Sequence, residues 1–190
     1  MDATIPKGTT FSGSGSFADP GADTWTATVN YGDGSGDQPL ALNPDKAFSL
    51  GHVYDASGTF TVTVTVADDD GGVGMDTATV RVLSEQEQIQ LLIADIDALV
   101  AAGILNQGQG RSLTAKLDAS AKKFAQGNAN AAINELQAFV NHVNAFIKSG
   151  VLTNEQGQTL LQKVNDLLEP SEPLTPSLLD LLALNLLQHK

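Results

Sequence analysis

The stretch Thr24-Trp-Thr-Ala-Thr-Val-Asn-Tyr-Gly-Asp-Gly-Ser-Gly36 decides how the first half of this chain folds. Trp25, Ala27, Val29 and Tyr31 alternate with Thr24, Thr26, Thr28 and Asn30. Successive side chains of a strand point to opposite faces, so this pattern describes a strand with one apolar face. It runs into Gly32-Asp33-Gly34, where glycine permits positive φ and aspartate bonds the backbone two residues on. Two further runs repeat the pattern. Phe60, Val62, Val64 and Val66 alternate with Thr59 to Thr65, and Ala78, Val80 and Val82 alternate with Thr77, Thr79 and Arg81. Asp68-Asp69-Asp70-Gly71-Gly72 is the turn between them. Short alternating strands separated by turn residues read as an all-β unit over residues 1–83.

The periodicity changes at Ser84. Ser84 with Glu87 three residues on is a capping box. Ile89, Leu92, Ile93, Ile96, Leu99 and Val100 then recur at helical spacing. With so short a connection, the two units keep a restricted mutual orientation. A repeat follows at an offset of 47, since Gly103, Leu105, Gly110 and Leu113 return as Gly150, Leu152, Gly157 and Leu160. Helix–glycine–helix therefore occurs twice, with helices expected near 86–102, 107–126, 129–149 and 154–168. Two such hairpins with apolar stripes pair most simply as a four-helix bundle. Beyond it, Pro170, Pro173 and Pro176 make a stiff connector to a leucine-rich helix around residues 178–187. Leu178, Leu179, Leu182 and Leu186 are its candidate partner-binding residues. Ten residues are too few to span a bilayer, and no run of 18 apolar residues occurs elsewhere.

The 190 residues carry 22 acids against 10 bases, a net charge of -12, which argues against a nucleic-acid partner. There is no cysteine, so disulfides and thiol chemistry are excluded. No nucleophile with a base beside it, metal triad or phosphate loop is visible, and the chain reads as non-enzymatic. His52 and His142 read as packing and edge residues. Met1-Asp2 reads as the start of a piece cut from a longer protein.

Residues 1–83 resemble the PKD domain, a small immunoglobulin-like β-sandwich of secreted and cell-surface proteins. Phe11-Ser-Gly-Ser-Gly-Ser-Phe17 matches its opening strand. Tyr31-Gly32-Asp33-Gly34, His52-Val53-Tyr54, Gly58-Thr59-Phe60 and Val66-Ala67-Asp68 match its inner elements. Residues 86–168 resemble the FIMAH domain, a helical module of bacterial surface proteins, through Phe139-Val140-Asn141-His142-Val143 and Gly150-Val151-Leu152. The expected architecture is β then α: a sandwich over 1–83, a four-helix bundle over 84–169, and a connector with a short helix over 170–190.

The resemblance implies a secreted or surface-exposed bacterial location and calcium as a candidate cofactor. Some PKD-like domains hold calcium where the Gly-Asp-Gly strand nears the last turn, which points to Asn30, Asp68 and Asp70. Asp19, Asp23, Asp33, Asp37, Asp55, Asp68, Asp69, Asp70 and Asp76 all fall in expected turns or strand ends. The simpler reading of these acids is turn capping and solubility. The expected function is a spacer and interaction fragment acting in adhesion or assembly, through a protein partner or self-association. The alternative is a polysaccharide-binding accessory module with Trp25, Tyr31 or Tyr54 as a sugar platform.

Overall fold

The computed structural model describes residues 2–19 and 24–168, and the connector and leucine-rich segment lie outside the described residues. Seven strands precede four helices: β1 (Ala3–Pro6), β2 (Thr10–Ser16), β3 (Trp25–Asn30), β4 (Asp37–Pro39), β5 (Ala47–Val53), β6 (Gly58–Asp68) and β7 (Val73–Leu83), then α1 (Glu85–Ala101), α2 (Gln107–Ala125), α3 (Ala129–Lys148) and α4 (Asn154–Leu168). One sheet has the order β1-β7-β6-β3-β4, and β2 pairs with β5 in a second. All pairs are antiparallel except β1 on β7, which is parallel.

The alternating residues settle how the two sheets face each other. Val29, Tyr31, Val62, Val64, Val80 and Val82 from the larger sheet share one buried cluster with Phe11 of β2, and Phe48 and Leu50 of β5 pack against it. The threonines between them face outward. Asp76, expected in a turn or at a strand end, instead lies inside β7 opposite Val64. The β6–β7 hairpin is longer than the alternating apolar runs alone suggest, because the ladder continues to Ala67–Val73, directly beside the expected turn.

The helices close a second core of their own, built on Ile89, Leu92, Ile96, Leu113, Leu117, Leu136, Phe139 and Val143 with residues of α4. Neighbours in sequence pack antiparallel and α4 returns to α1, giving an up-down-up-down bundle. The helix ends agree with those expected to within a residue or so. Gly103 and Gly150 take positive φ at the two hairpin corners, and Leu105 and Leu152 are buried just after them. Asn106 and Thr153 then cap the next helix in reciprocal bonds with Gln109 and Gln156. The tightest point of each hairpin is a second glycine. A Cβ on Gly110 would overlap Val100, and one on Gly157 would overlap Ile147.

Between the two cores stands one residue, Ser84. Its hydroxyl accepts from the Glu87 amide while the Glu87 carboxylate accepts from the Ser84 amide at 2.9 Å. Lys7 reaches Glu85 at 3.0 Å and Arg81 reaches Glu87 at 2.6 Å, so both sides of the junction are tied. Partial burial works to raise the Glu85 carboxyl, but its backbone bond and the Lys7 ammonium outweigh it and hold it low. Glu87 is held at about 2 by the Ser84 amide and hydroxyl, then Arg81.

The close approach at the second glycines predicts a specific cost. Gly110→Ala pushes a methyl into the stiff, β-branched Val100, and overpacking of that kind costs about 1–3 kcal/mol against a helix-propensity gain of up to about 1. Chemical denaturation of the variant is expected to show net destabilisation. An unchanged or raised midpoint would refute the packing argument.

Candidate functional site

The chemistry-bearing side chains gather where β3 leaves the sheet. Gly32 takes a φ of 75°, and a Cβ there would stand 2.5 Å from the Thr61 carbonyl oxygen, so only glycine fits. Asp33 then accepts from the Ser35 amide at 3.0 Å and its hydroxyl at 2.6 Å, the local bond that aspartate makes in turns. Its second oxygen lies 2.7 Å from His52 Nε2. The His52 ring stacks on Tyr31 at 4.1 Å and meets the edge of Tyr54 at 4.7 Å. Both tyrosines are buried; Tyr54 donates to the Tyr31 carbonyl, and the Tyr31 hydroxyl donates to the Gly51 carbonyl.

These contacts move two ionisations. The Ser35 hydroxyl and amide hold the Asp33 carboxyl down at about 2 against the opposing effect of burial, with His52 adding to the lowering. Burial first, then the Asp33 and Tyr31 charges, pushes the Tyr54 phenol up to about 12. Chemically the cluster is a tie between loop and sheet. Ser35 gives its hydroxyl to the carboxylate rather than to the imidazole, so Ser35 is not activated by His52. A nucleophile would need the imidazole itself as its base.

The proposed calcium set does not assemble. Asn30 pairs with Thr63, whereas Asp68 pairs with Trp25, at the opposite end of the same ladder. Five residues of strand separate them by about 17 Å. Antiparallel pairing puts the exit of β3 beside the start of β6, so the glycine turn and the last turn are held apart. Asn30 instead accepts from the Gly32 amide and donates to Asp37. Asp68 accepts from Gly72 at 2.6 Å and Asp69 from Thr24 at 3.3 Å. Nothing brings Asp70 within reach of Asn30. Among the described residues, no three His, Asp or Glu side chains gather as a metal site.

The sugar platform fails for a similar reason. Tyr31 and Tyr54 lie in the core, and Trp25 is half-buried. Its ring is capped by the Lys46 ammonium at 4.2 Å, edged by Phe17, and held through Nε1 by Asp19. Trp25 lines one side of a groove of about 400 Å³ with Phe17, Phe48, Val66 and Met75.

In the bundle, His142 sits half-buried between α2 and α3, its ring 4.5 Å from Phe146 and 3.4 Å from the Ser112 hydroxyl. Burial, then the nearby Lys116, lowers its pKa. It is an edge packing residue.

Residues 1–82 match the family model of the PKD domain, and residues 89–169 match that of the FIMAH domain. The chain is a PKD domain followed by a FIMAH domain. Among solved structures, the PKD domain of a peptidase from a Thermoplasmatales archaeon is 22% identical, with a TM-score of 0.38 over 43% of this chain and 86% of that one. A 2,6-sialyltransferase from a Photobacterium species is 12% identical, with a TM-score of 0.27 over 52% of this chain and 22% of that one. No curated protein matches the chain. PKD and FIMAH are non-catalytic domain types, typical of extracellular bacterial proteins. No described helix is long and apolar enough to cross a membrane.

Two outcomes are expected for the PKD domain. His52→Ala removes the stack on Tyr31 and the bond to Asp33, which together cost about 1–3 kcal/mol by denaturant unfolding. Because the folded Asp33 carboxyl lies below its ordinary value, its contribution is complete above pH 4 and fades as pH falls toward 2. Asp33→Asn should flatten that acid limb, and an unaltered limb would remove the assignment. The second outcome concerns calcium. Melting curves with millimolar calcium and with EDTA should coincide, and a calcium-dependent rise would show a donor set other than Asn30, Asp68 and Asp70.

Proposed function

We propose that the chain is a non-catalytic spacer and interaction fragment of a bacterial cell-surface or secreted protein. The PKD domain holds the FIMAH domain at a set distance and angle. The FIMAH domain and the leucine-rich segment after it make the contact, with Leu178, Leu179, Leu182 and Leu186 carrying the apolar surface. The observation that supports this reading is the junction at Ser84. A strand passes into a helix through one residue, capped and flanked by the Lys7–Glu85 and Arg81–Glu87 pairs. A junction of that kind transmits orientation, as a presenting device requires. Apolar area buried against a partner contributes roughly 25 cal/mol per Å², less the ordering costs.

Adhesion or assembly through the last segment has a direct test. Full-length chain is expected to associate with rising concentration in sedimentation velocity, and deletion of residues 174–190 to leave a monomer with the same melting temperature. A deletion that stays monomeric throughout but melts lower would place the leucines on their own bundle and overturn the assembly reading.

A further inference from the structure

Among the described residues, β7 carries an open strand edge on one side of the five-stranded sheet. Its inner edge pairs with β6 from Val73 to Val82, whereas β1 covers its outer edge only from Val80 to Leu83. In an antiparallel ladder, alternate residues turn both N–H and C=O away from the partner. Leu83 turns its carbonyl outward, accepting from Lys7, and Thr79 turns its amide outward, donating to Asp2 Oδ1 at 3.0 Å. Val73, Met75 and Thr77 share that parity and therefore face the open edge. The Thr77 amide is met by Asp76 Oδ1 at 2.8 Å. Two carboxylates thus stand guard over the edge, and the amides of Val73 and Met75 stand open.

The side chains beside this edge sort by face. Val73 and Met75 lie on the outer face, exposed at 67% and 68%. Asp76 alternates with them onto the other face, where Asp68 also lies, and the hairpin tip adds Asp69 and Asp70. Residues 1–83 hold eleven aspartates against three cations, and of those three Lys7 and Arg81 are paired with glutamates of α1. A second copy of this edge would bring Asp76 against Asp76 and one acidic unit against another. A cationic strand meets the opposite situation. When its backbone takes the Thr77 and Thr79 amides, its cations take the carboxylates displaced from them.

We propose that the outer edge of β7, from Val73 to Thr79, is a β-augmentation site for an extended segment of alternating apolar and basic residues. Such a segment adds a strand to the five-stranded sheet, with apolar side chains beside Val73 and Met75 and basic ones beside Asp76 and Asp2. This deepens the interaction reading without resting on the leucine-rich segment, since deleting residues 174–190 leaves the edge in place.

The test uses the full chain and a fluorescein-labelled hexapeptide, Val-Lys-Val-Lys-Val-Lys, followed by fluorescence anisotropy. Saturable binding is expected, weakened at least tenfold when alternate peptide nitrogens are methylated and abolished when glutamate replaces lysine. Met75→Pro removes an edge amide that β6 does not use, and is expected to weaken binding at least tenfold with the melting transition retained. Equal affinity for the methylated peptide would mean charge attraction without strand pairing and would overturn the proposal. That comparison uses the unaltered protein, so it decides even where Met75→Pro fails to fold. A dimer of the chain that Met75→Pro abolishes would assign the edge to a second copy and also overturn it.

Discussion

Ser84 sets the geometry on which the rest depends. A strand and a helix cannot share a hydrophobic face, since one repeats every two residues and the other every 3.6. Where the pattern changes, the chain needs a residue whose backbone is extended and whose side chain satisfies helical amides. Ser84 has a ψ of 162° and bonds Glu87 in both directions. Everything before it buries its apolar side chains between two sheets, and everything after it buries them among four helices. Two interiors therefore stand in series, connected by a capped turn and two ion pairs.

Each interior has its own economy of small residues. In the sandwich, Gly32 lets the backbone turn against Thr61, and the aromatic group of Tyr31, His52 and Tyr54 forms behind it. In the bundle the same device appears twice. The corner glycines reverse the chain, and Gly110 and Gly157 let the hairpin helices meet at Val100 and Ile147, residues that are themselves 47 apart. The duplication thus includes both a contact and its partner. It is a repeat of packing geometry as well as of sequence.

Much of this was legible in the residues. The alternation in β3, β6 and β7, the Ser84 cap, the corner glycines and the 47-residue offset are local patterns, and each fixes an element within a residue or two. The exception is the start of β7, which begins at Val73, four residues before its alternating run. What failed was long-range. Asn30 and Asp68 both sit at strand ends rich in oxygen donors, yet nothing in composition says which ends of antiparallel strands meet. Alternation places Tyr31, whereas the depth of Tyr54 depends on Phe60 arriving from β6 and on the Tyr31 carbonyl that its hydroxyl reaches. Asp76 looked like a turn residue because aspartate breaks strands, and only the length of the β6 ladder kept it inside one. The parallel strand β1 has four residues, too few for a pattern of its own.

That short parallel strand has a mechanical consequence. β1 and β7 run in the same direction, and β7 continues directly into the bundle. Tension applied between residue 3 and the helices therefore pulls the two strands lengthwise past each other. The bonds from Ala3 to Pro6 are loaded together in shear, and they do not open one at a time from an end. Resistance to such a pull is governed by the rate of unfolding rather than by equilibrium stability. A piece that carries load between a surface and a distal contact is well served by that arrangement.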